Sequence, residues 1–258
     1  MLLAIDSGNT NVVFAVFDDD GRVIGEWRAA TSANRTADEF GVWLGQLMAG
    51  GEIGGGDIDH AIIATVVPAN LVHLQTLCDK YFHCKPLVVG ISDLDLGIEV
   101  LIDTPSEVGA DRLCNAVAAH ESYQGPLLIL DFGTATTFDV VDADGNYRGG
   151  VIYPGINLSL EALHLGAAQL PRVAVERPGK VIGTGTVSAM QSGIFWGHVA
   201  IIEGLAKRIS DEYGAPLRVI ATGGLAPLFA EATDTIANCD PYLTLRGLYL
   251  LHQRNAGR

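Results

Sequence analysis

The chain has few basic residues, few cysteines and no long apolar run, and each shortage excludes a class of protein. Only 16 lysines and arginines stand against 30 acidic residues, so the formal charge is −14, which excludes a typical nucleic-acid-binding protein. The four cysteines lack C-x-x-C spacing and histidines suited to zinc, so we expect reduced, mostly buried thiols. The longest uncharged stretch, residues 61–78, is interrupted by Pro68, Asn70 and His73 and is poor material for a membrane-spanning helix. The N-terminus lacks the pattern of a signal peptide, and we therefore expect a soluble cytoplasmic protein without membrane or nucleic-acid partners.

Apolar residues and glycine are plentiful. Hydrophobic residues make up 48% of the chain and glycine contributes 31 residues, which supplies a buried core and many tight turns. This composition excludes disordered and fibrous classes. A length of 258 residues suggests two modest domains, and the Gln124-Gly125-Pro126 stretch is the best boundary, giving residues 1–123 and 124–258.

An internal repeat organises the sequence. Residues 2–8 return in similar form as residues 127–133, at an offset of 125, nearly half the chain. In both copies an apolar run reaches Asp-x-Gly, continues with small polar and β-branched residues, and ends at an acidic turn. Each copy is typical of a β-hairpin, so two similar sheets are predicted, one in each half.

Helical and strand patterns alternate between and after the hairpins, which indicates the α/β class. A capping box at Thr36 predicts the first helix. The predicted helices are 36–48, 71–82, 106–122, 158–170, 186–213 (expected to be broken) and 243–253, and the further predicted strands are 61–67, 86–89 and 217–221.

The two Asp-x-Gly turns are candidates for phosphate and cation binding. Backbone N–H groups and a carboxylate meet at such a turn, glycine lets a phosphate approach closely, and the aspartate can face a cation. The first turn adds an amide and a hydroxyl from Asn9 and Thr10, and the second adds the hydroxyls of Thr134, Thr136 and Thr137. Each could also be an ordinary turn, but two copies at equivalent strand ends favour the functional interpretation.

Two further segments carry candidate site residues. Thr222-Gly223-Gly224 follows a strand and would let a base or ribose lie against backbone, although strand-to-helix links with Gly-Gly are common. Gly109-Ala110-Asp111-Arg112 places a carboxylate and a guanidinium at a predicted helix start. Asp111 could be a first-turn acid that suits the helix dipole, with Arg112 as its surface partner. In a phosphate site it could instead accept the proton of an attacking hydroxyl.

The motifs together resemble the type III pantothenate kinases, a family of the acetate/sugar kinase, Hsp70 and actin superfamily. The resemblance extends over nearly the whole chain. It implies duplicated actin-like (ribonuclease H-like) domains, mixed sheets flanked by helices, and an ATP cleft between the domains. The segments that carry it are 5–10, 107–112, 131–137, 149–155, 170–171, 182–186, 191–193, 222–224 and 243–248.

The resemblance also implies the reaction, its ligands and the site residues. The reaction is ATP-dependent phosphorylation of pantothenate to 4'-phosphopantothenate, the first step of coenzyme A biosynthesis, by a homodimer with its active site at the interface. ATP comes with Mg2+, and a monovalent cation, K+ or NH4+, is required. The residues implied for ATP are Asp6, Ser7, Gly8, Asn9, Thr10, Asn11, Val12, Val13, Thr134, Gly223 and Gly224, with Asp6 near Mg2+ and Asp131 on the monovalent cation. Those implied for pantothenate are Gly109, Ala110, Asp111, Arg112 and Thr186, with Asp111 as general base and Thr186 contributed by the partner subunit.

Three positions depart from the family pattern. Gly185 stands where many members have Asn, Ile102 lies about where some have an aromatic residue facing the substrate, and Ser7 replaces a commonly apolar residue. The alternatives are a kinase for another small hydroxylated substrate and a nucleotide-binding regulatory protein of the same fold. The presence of Asp6, Asp111 and Asp131 together favours catalysis.

Overall fold

The structure, a computed structural model, describes residues 1–167 and 170–256 and divides into two compact units. The first unit comprises residues 1–99, 103–118 and 243–256, and the second comprises 100–102 and 119–242, within the described residues. The division predicted from the sequence, 1–123 and 124–258, stays a proposal for the domains.

The first unit contains one five-stranded mixed sheet with helices packed against it. Its strands are β1 (Leu2–Ser7), β2 (Asn11–Phe17), β3 (Val23–Ala30), β4 (His60–Thr65) and β5 (Leu87–Val88), and its helices are α1 (Ala37–Gly50), α2 (Pro68–Phe82), the first part of α3 (Ala110–Ser122), and α7 (Leu243–Asn255). The strand order is β3-β2-β1-β4-β5. β1 pairs antiparallel with β2 and parallel with β4, so the first hairpin is joined to the α/β part of the sheet.

The second unit repeats this arrangement. Its strands are β6 (Leu127–Phe132), β7 (Ala135–Val141), β8 (Tyr147–Pro154), β9 (Arg218–Gly223) and β10 (Asn238–Cys239), and its helices are α4 (Ile156–Gly166), α5 (Thr186–Tyr213) and α6 (Ala226–Ala230). The strand order is β10-β9-β6-β7-β8, the same path in terms of equivalent strands. The α/β class and the two similar sheets predicted from the repeat are confirmed.

The duplication extends to side-chain burial and to turns. β1 and β6 bury their residues in the same sequence, and so do β2 and β7. The pairing of β2 with β3 and the pairing of β7 with β8 each have a register shift, at Val16/Phe17 and at Val140/Val141. The acidic turns match as well, because Gly21 and Gly145 have φ of 79° and 91°, a left-handed conformation that favours glycine.

Each sheet is covered by aromatic and aliphatic side chains. In the first unit Phe14 of β2 packs against Phe40 and Trp43 of α1, with ring centroids 5.5 and 5.7 Å apart. In the second, the Phe229 ring stacks on both Phe132 and Phe195, at 5.3 and 5.2 Å. Burying large rings supplies most of the stabilisation that such layers need. The sheets are therefore firm supports for the loops at their ends.

The structure confirms several predicted elements and corrects others. The capping box at Thr36 and Glu39 is present at the start of α1. The helix predicted from Ser106 begins instead at Ala110, because Pro105–Glu107 forms a separate 3-10 turn. The helix predicted as broken, α5, runs unbroken for 28 residues. The helix predicted over 158–170 is α4, and residues 168 and 169 of that prediction lie outside the described residues. The last helix, α7, packs on β1 and β4 of the first unit.

Candidate active site

The first Asp-x-Gly turn joins β1 to β2 and presents a half-buried carboxylate at the sheet end. The Gly8 N–H donates to the Asn11 carbonyl at 2.9 Å and closes the turn. Asp6 lies opposite Val13 in the antiparallel register, so both side chains occupy one face, and both are half-buried. Asn9 and Thr10 are exposed. The turn therefore offers a carboxylate, an amide and a hydroxyl to a ligand.

Two residues that sequence reasoning missed hold this turn in place. The Thr31 hydroxyl donates to the Gly8 carbonyl at 2.6 Å, and the Thr31 N–H donates to the Thr10 carbonyl at 2.9 Å. On the other face, the amide of Asn70, fully buried in α2, donates to the Ser7 hydroxyl at 3.4 Å. Asn70 was visible in the sequence only as a polar interruption of an apolar stretch.

A second carboxylate of the first unit lies at the start of α3. Asp111 is the second residue of this helix, and its Oδ1 accepts the Arg112 N–H at 2.8 Å. Gly109 precedes it, and a Cβ there would lie 2.6 Å from that same Oδ1, so any larger residue would displace the Asp111 carboxylate from this position. Both Asp111 and Arg112 are half-buried, so they remain open to a ligand.

The buried thiol of Cys114 shows that Asp6 and Asp111 belong to one neighbourhood. Burial raises the pKa of Cys114 well above its ordinary value, and the negative charges of Asp6 and Asp111 raise it further. Both carboxylates thus act on one sulfur atom within the first unit. The structure brings together the two aspartates that the sequence placed 105 positions apart, since 111 − 6 = 105.

The second Asp-x-Gly turn joins β6 to β7 in the second unit. The Gly133 N–H donates to the Ala135 carbonyl at 3.1 Å, and the Gly155 N–H donates to the Thr134 carbonyl at 3.1 Å. A Cβ on Gly155 would lie 2.2 Å from that carbonyl oxygen, so only glycine fits beside the turn. Thr134 is exposed and Asp131 is half-buried, which leaves both accessible.

The Thr222-Gly223-Gly224 turn lies directly beside this carboxylate. Gly223 pairs with Phe132 in the parallel register, and a Cβ on Gly223 would lie 2.8 Å from the Asp131 Oδ1. Gly223 also has a φ of 90°. A side chain is excluded here for two independent reasons, and the backbone stays open next to Asp131.

Thr186 lies in the second unit on an apolar surface. It is the first residue of α5, it is exposed, and it lines a cavity of about 470 Å3 whose other walls are apolar side chains. Those side chains belong to α4, to the first turns of α5 and to the segment before it. Exposed apolar residues of α4 and of the chain from 181 to 187 are Leu163, which lines the same cavity, and Leu165, Val181, Ile182 and Val187.

Some predicted site residues have side chains that face away from the turns. Ser7 and Val12 are both fully buried and pair with each other across β1 and β2, so a ligand could meet only their backbone groups. Ala110 is also buried. Ile102, a departure from the family pattern, contacts the position of Gly149, whose Cβ would lie 3.6 Å from the Ile102 Cγ2.

Comparison with known proteins shows which family this chain belongs to. The family model of type III pantothenate kinases matches residues 2–208, which include both Asp-x-Gly turns and the Asp111 segment. The chain belongs to the type III pantothenate kinase family. A curated type III pantothenate kinase of Rhodospirillum rubrum is 68% identical over 255 residues, with 99% of each chain covered.

Solved structures show that this family member has the duplicated actin-like fold. A Campylobacter jejuni protein described as a Baf family transcriptional activator has a TM-score of 0.64 at 19% identity, covering 99% of this chain and all of the other. A Sinorhizobium meliloti protein described as a 2-dehydro-3-deoxygalactonokinase has a TM-score of 0.62 at 14% identity, with 98% and 96% covered. Identities this low support the fold and nothing finer.

Two further findings concern metal clusters and membrane-spanning helices among the described residues. Among them, no three His, Cys, Asp or Glu side chains cluster as a metal site would require. Across 1–167 and 170–256, no helix is both long and apolar enough to span a membrane.

Proposed function

We propose that this chain phosphorylates pantothenate at the expense of ATP, the first step of coenzyme A biosynthesis, with Asp111 as the general base. Family membership supports the reaction, and the observation that carries the base assignment is the half-buried Asp111 carboxylate at the start of α3, held there by the Arg112 N–H. Phosphoryl transfer needs positioning and charge neutralisation more than covalent chemistry by the protein. A chain this poor in basic residues can supply both through turns and bound cations.

The two turns divide the work of binding ATP. In the first unit, Gly8 to Val13 offer N–H groups, the Asn9 amide and the Thr10 hydroxyl to phosphate, while Asp6 faces the Mg2+ that accompanies ATP. In the second unit, Thr134 contacts phosphate, and Gly223 and Gly224 leave backbone open for adenosine. Bound Mg2+ neutralises the charge that develops on the transferred phosphoryl group.

Asp111 and Arg112 divide the work of binding pantothenate. The Asp111 Oδ1 is held by the Arg112 N–H, which fixes the carboxylate while it takes the proton of the attacking primary hydroxyl. The Arg112 guanidinium can bind the pantothenate carboxylate through two parallel hydrogen bonds, and the helix N-terminus favours the same negative charge.

Asp131 holds the monovalent cation, K+ or NH4+, in this proposal. Its carboxylate stands beside the open backbone of Gly223 and opposite Thr137 in the hairpin register. Carboxylate, hydroxyl and carbonyl oxygens are the donors that a hard cation takes, so the residues present suit such an ion. The positive charge would lie close to the phosphate that Thr134 contacts.

The exposed apolar surface around Thr186 supports a homodimer. Ile182 is 82% exposed and Leu165 is 73% exposed, which is costly in water unless another surface covers them. A second copy of this chain covers the surface in this proposal, and Thr186 then reaches pantothenate in the partner's site. The cytoplasm, where ATP and a reducing environment for four free cysteines are available, is the proposed location.

A coupled assay that follows ADP formation with pantothenate tests the proposal. We expect turnover that requires pantothenate, and a fall of about 10²–10⁴-fold in kcat for Asp111→Asn, the usual contribution of a general base. Asp103→Asn is the matched control, because this aspartate is exposed and precedes the helix that carries Asp111. Its kcat should equal that of the unaltered chain.

Three outcomes distinguish the candidate functions. Nucleotide binding without pantothenate-dependent turnover would favour the regulatory alternative. Turnover with another hydroxylated substrate in place of pantothenate would favour the second kinase alternative. Equal activity in Asp111→Asn and the unaltered chain would remove the general-base role while leaving the reaction intact.

A further inference from the structure

A buried carboxylate that has no role in the site described so far lies two residues along β7 from Thr137. Asp139 is fully buried, and its two oxygens accept hydrogen bonds from two hydroxyls. The Tyr147 hydroxyl donates to Oδ1 at 2.6 Å, and the Thr137 hydroxyl donates to Oδ2 at 2.9 Å. Burying a carboxylate is costly even when it is hydrogen-bonded, so its position calls for an explanation.

The first hairpin shows that the fold does not need these polar residues. Asp131 faces Thr137 as Asp6 faces Val13, and Ile129 faces Asp139 as Ala4 faces Ala15. The hairpins share the same burial sequence, so the two sites are structurally equivalent. In the first hairpin, valine and alanine therefore fill the positions that threonine and aspartate fill in the second. The pairing of the strands therefore does not require the polar pair of the second hairpin.

The hydrogen bond to Asp139 determines what Thr137 can offer to Asp131. A hydroxyl has one proton and two lone pairs, and the proton of Thr137 is taken by Asp139. The lone pairs are left for the face on which Asp131 stands, since directly opposite side chains in an antiparallel pair lie about 4.5–5.5 Å apart at Cβ. Without Asp139, the same proton would be free to turn to the Asp131 carboxylate.

We propose that Asp139 is a positioning residue for the monovalent cation: it takes the Thr137 proton, so that the Thr137 hydroxyl faces Asp131 as a second oxygen ligand. This inference rests on the proposed function, in which Asp131 holds the cation. The buried negative charge of Asp139 adds to the attraction for a cation, and the Thr137 and Tyr147 hydroxyls bind different oxygens of this carboxylate. Asp139 is fully buried, so its role is to orient the Thr137 hydroxyl and not to bind a ligand itself.

The test measures cation binding with and without turnover. We expect the unaltered chain, free of substrates, to unfold at a higher temperature in K+ than in Na+, and Asp139→Asn to lose most of that difference. The K+ concentration for half-maximal activity should rise about tenfold or more, as when other residues that orient a metal ligand are removed. The KM for pantothenate, measured at saturating K+, should stay unchanged.

Variants of Thr137 and Tyr147 distinguish three possible effects of Asp139: orienting the Thr137 hydroxyl, stabilising the fold, and attracting the cation by charge. Thr137→Val should weaken K+ binding as Asp139→Asn does, and Thr137→Ser should restore it. Tyr147→Phe is the matched control: it removes the other hydrogen bond to the same carboxylate and keeps the Thr137 bond, so it should lower stability and leave the K+ preference intact. A triple variant, Thr137→Val with Asp139→Ala and Tyr147→Phe, removes all three polar groups. It places valine and alanine where the first hairpin has them, so it should fold even if Asp139→Asn alone does not.

Three results would overturn the positioning role. Equal K+ preference in Asp139→Asn, Tyr147→Phe and the unaltered chain would leave Asp139 a purely structural group. Loss of K+ binding in Asp139→Asn but not in Thr137→Val would mean that Asp139 acts on the cation only through its negative charge and not by orienting Thr137. Pantothenate turnover in the unaltered chain without any preference for K+ would exclude the cation site and preserve the proposed reaction. By contrast, a K+-dependent unfolding temperature without turnover would exclude only the proposed reaction.

Discussion

At the scale of single residues, His252 of α7 couples the stability of the first unit to pH. Its side chain is 6% exposed and its Nδ1 has no hydrogen-bond partner in the described structure. Burial lowers the pKa of His252 below its ordinary value, and the nearby His60 ring, 5.0 Å away, and the N-terminal amine lower it further. The folded chain therefore resists protonation where the unfolded chain accepts it.

The sign of the pH effect follows from this difference in proton binding. As pH falls below about 6.5, the unfolded chain gains a proton on this histidine and the folded chain does not, so the free energy of unfolding decreases. We expect His252→Leu to lose less stability than the unaltered chain between pH 7.5 and 5.5, by at most about 1.4 kcal/mol per pH unit. Denaturant unfolding at several pH values measures this, and parallel losses in both proteins would contradict it.

Sequence reasoning identified the chemically distinctive residues of the candidate site but not those that hold them. Asp6, Asp111 and Asp131 stand in glycine-rich motifs, where a carboxylate is conspicuous. Thr31 and Asn70 lie far along the chain from the turn they stabilise, and an isolated threonine or asparagine carries no local signal of such a contact. Only the folded register reveals them.

At the scale of elements, the contact between α3 and α7 fixes the position of the helix that carries Asp111. A Cβ on Gly247 of α7 would lie 2.1 Å from the Cys114 carbonyl oxygen of α3. We expect Gly247→Ala to destabilise the chain by about 1–3 kcal/mol through overpacking, despite the better helix propensity of alanine. Because Cys114 lies one turn after Asp111, kcat should fall as well.

A second glycine gives the opposite expectation and serves as the control. Gly204 lies inside α5, is exposed, and has open space where a Cβ would stand. Gly204→Ala should stabilise the chain by about 0.5–1 kcal/mol, with kcat unchanged. Denaturant titration gives the free energy of unfolding of Gly204→Ala and Gly247→Ala. Equal changes would mean that the helix propensity of alanine outweighs the close contact between Gly247 and Cys114.

Elements were predictable where local chemistry determines them. The capping box fixed the start of α1, and the apolar run before each Asp-x-Gly turn fixed β1 and β6. The edge strands β3 and β8 were missed because their residues are largely exposed and interrupted by glycine. The expected break in α5 was wrong, since the glycines at 193, 197 and 204 meet no obstruction and packing outweighs their poor propensity.

At the scale of the whole molecule, the repeat predicted two sheets, and both have the same strand path. Chain order gave no indication that α7 would pack on β1 and β4, because the apolar face of a helix does not specify which sheet covers it. Association between copies depends on the same kind of surface, and it can be tested directly.

A single charge introduced into the exposed apolar surface near Thr186 should affect both assembly and pantothenate binding. Ile182→Asp places a carboxylate where Ile182 is 82% exposed, and burying that charge against a second copy would cost several kcal/mol. If the proposed dimer forms, we expect the variant to be a monomer by light scattering. The KM for pantothenate should rise because the proposed contact of Thr186 with the partner's site is lost, and the affinity for ATP, measured by calorimetry, should be unchanged.

The control for this experiment puts the same charge on another exposed apolar position. Val72 of α2 is 66% exposed and belongs to the first unit, whereas Thr186 belongs to the second. Val72→Asp should stay a dimer with normal pantothenate affinity, so a change specific to Ile182→Asp would be due to its location. If Ile182→Asp is monomeric and binds pantothenate normally, assembly is not needed for the active site. If the unaltered chain is already monomeric, a residue other than Thr186 must contact pantothenate.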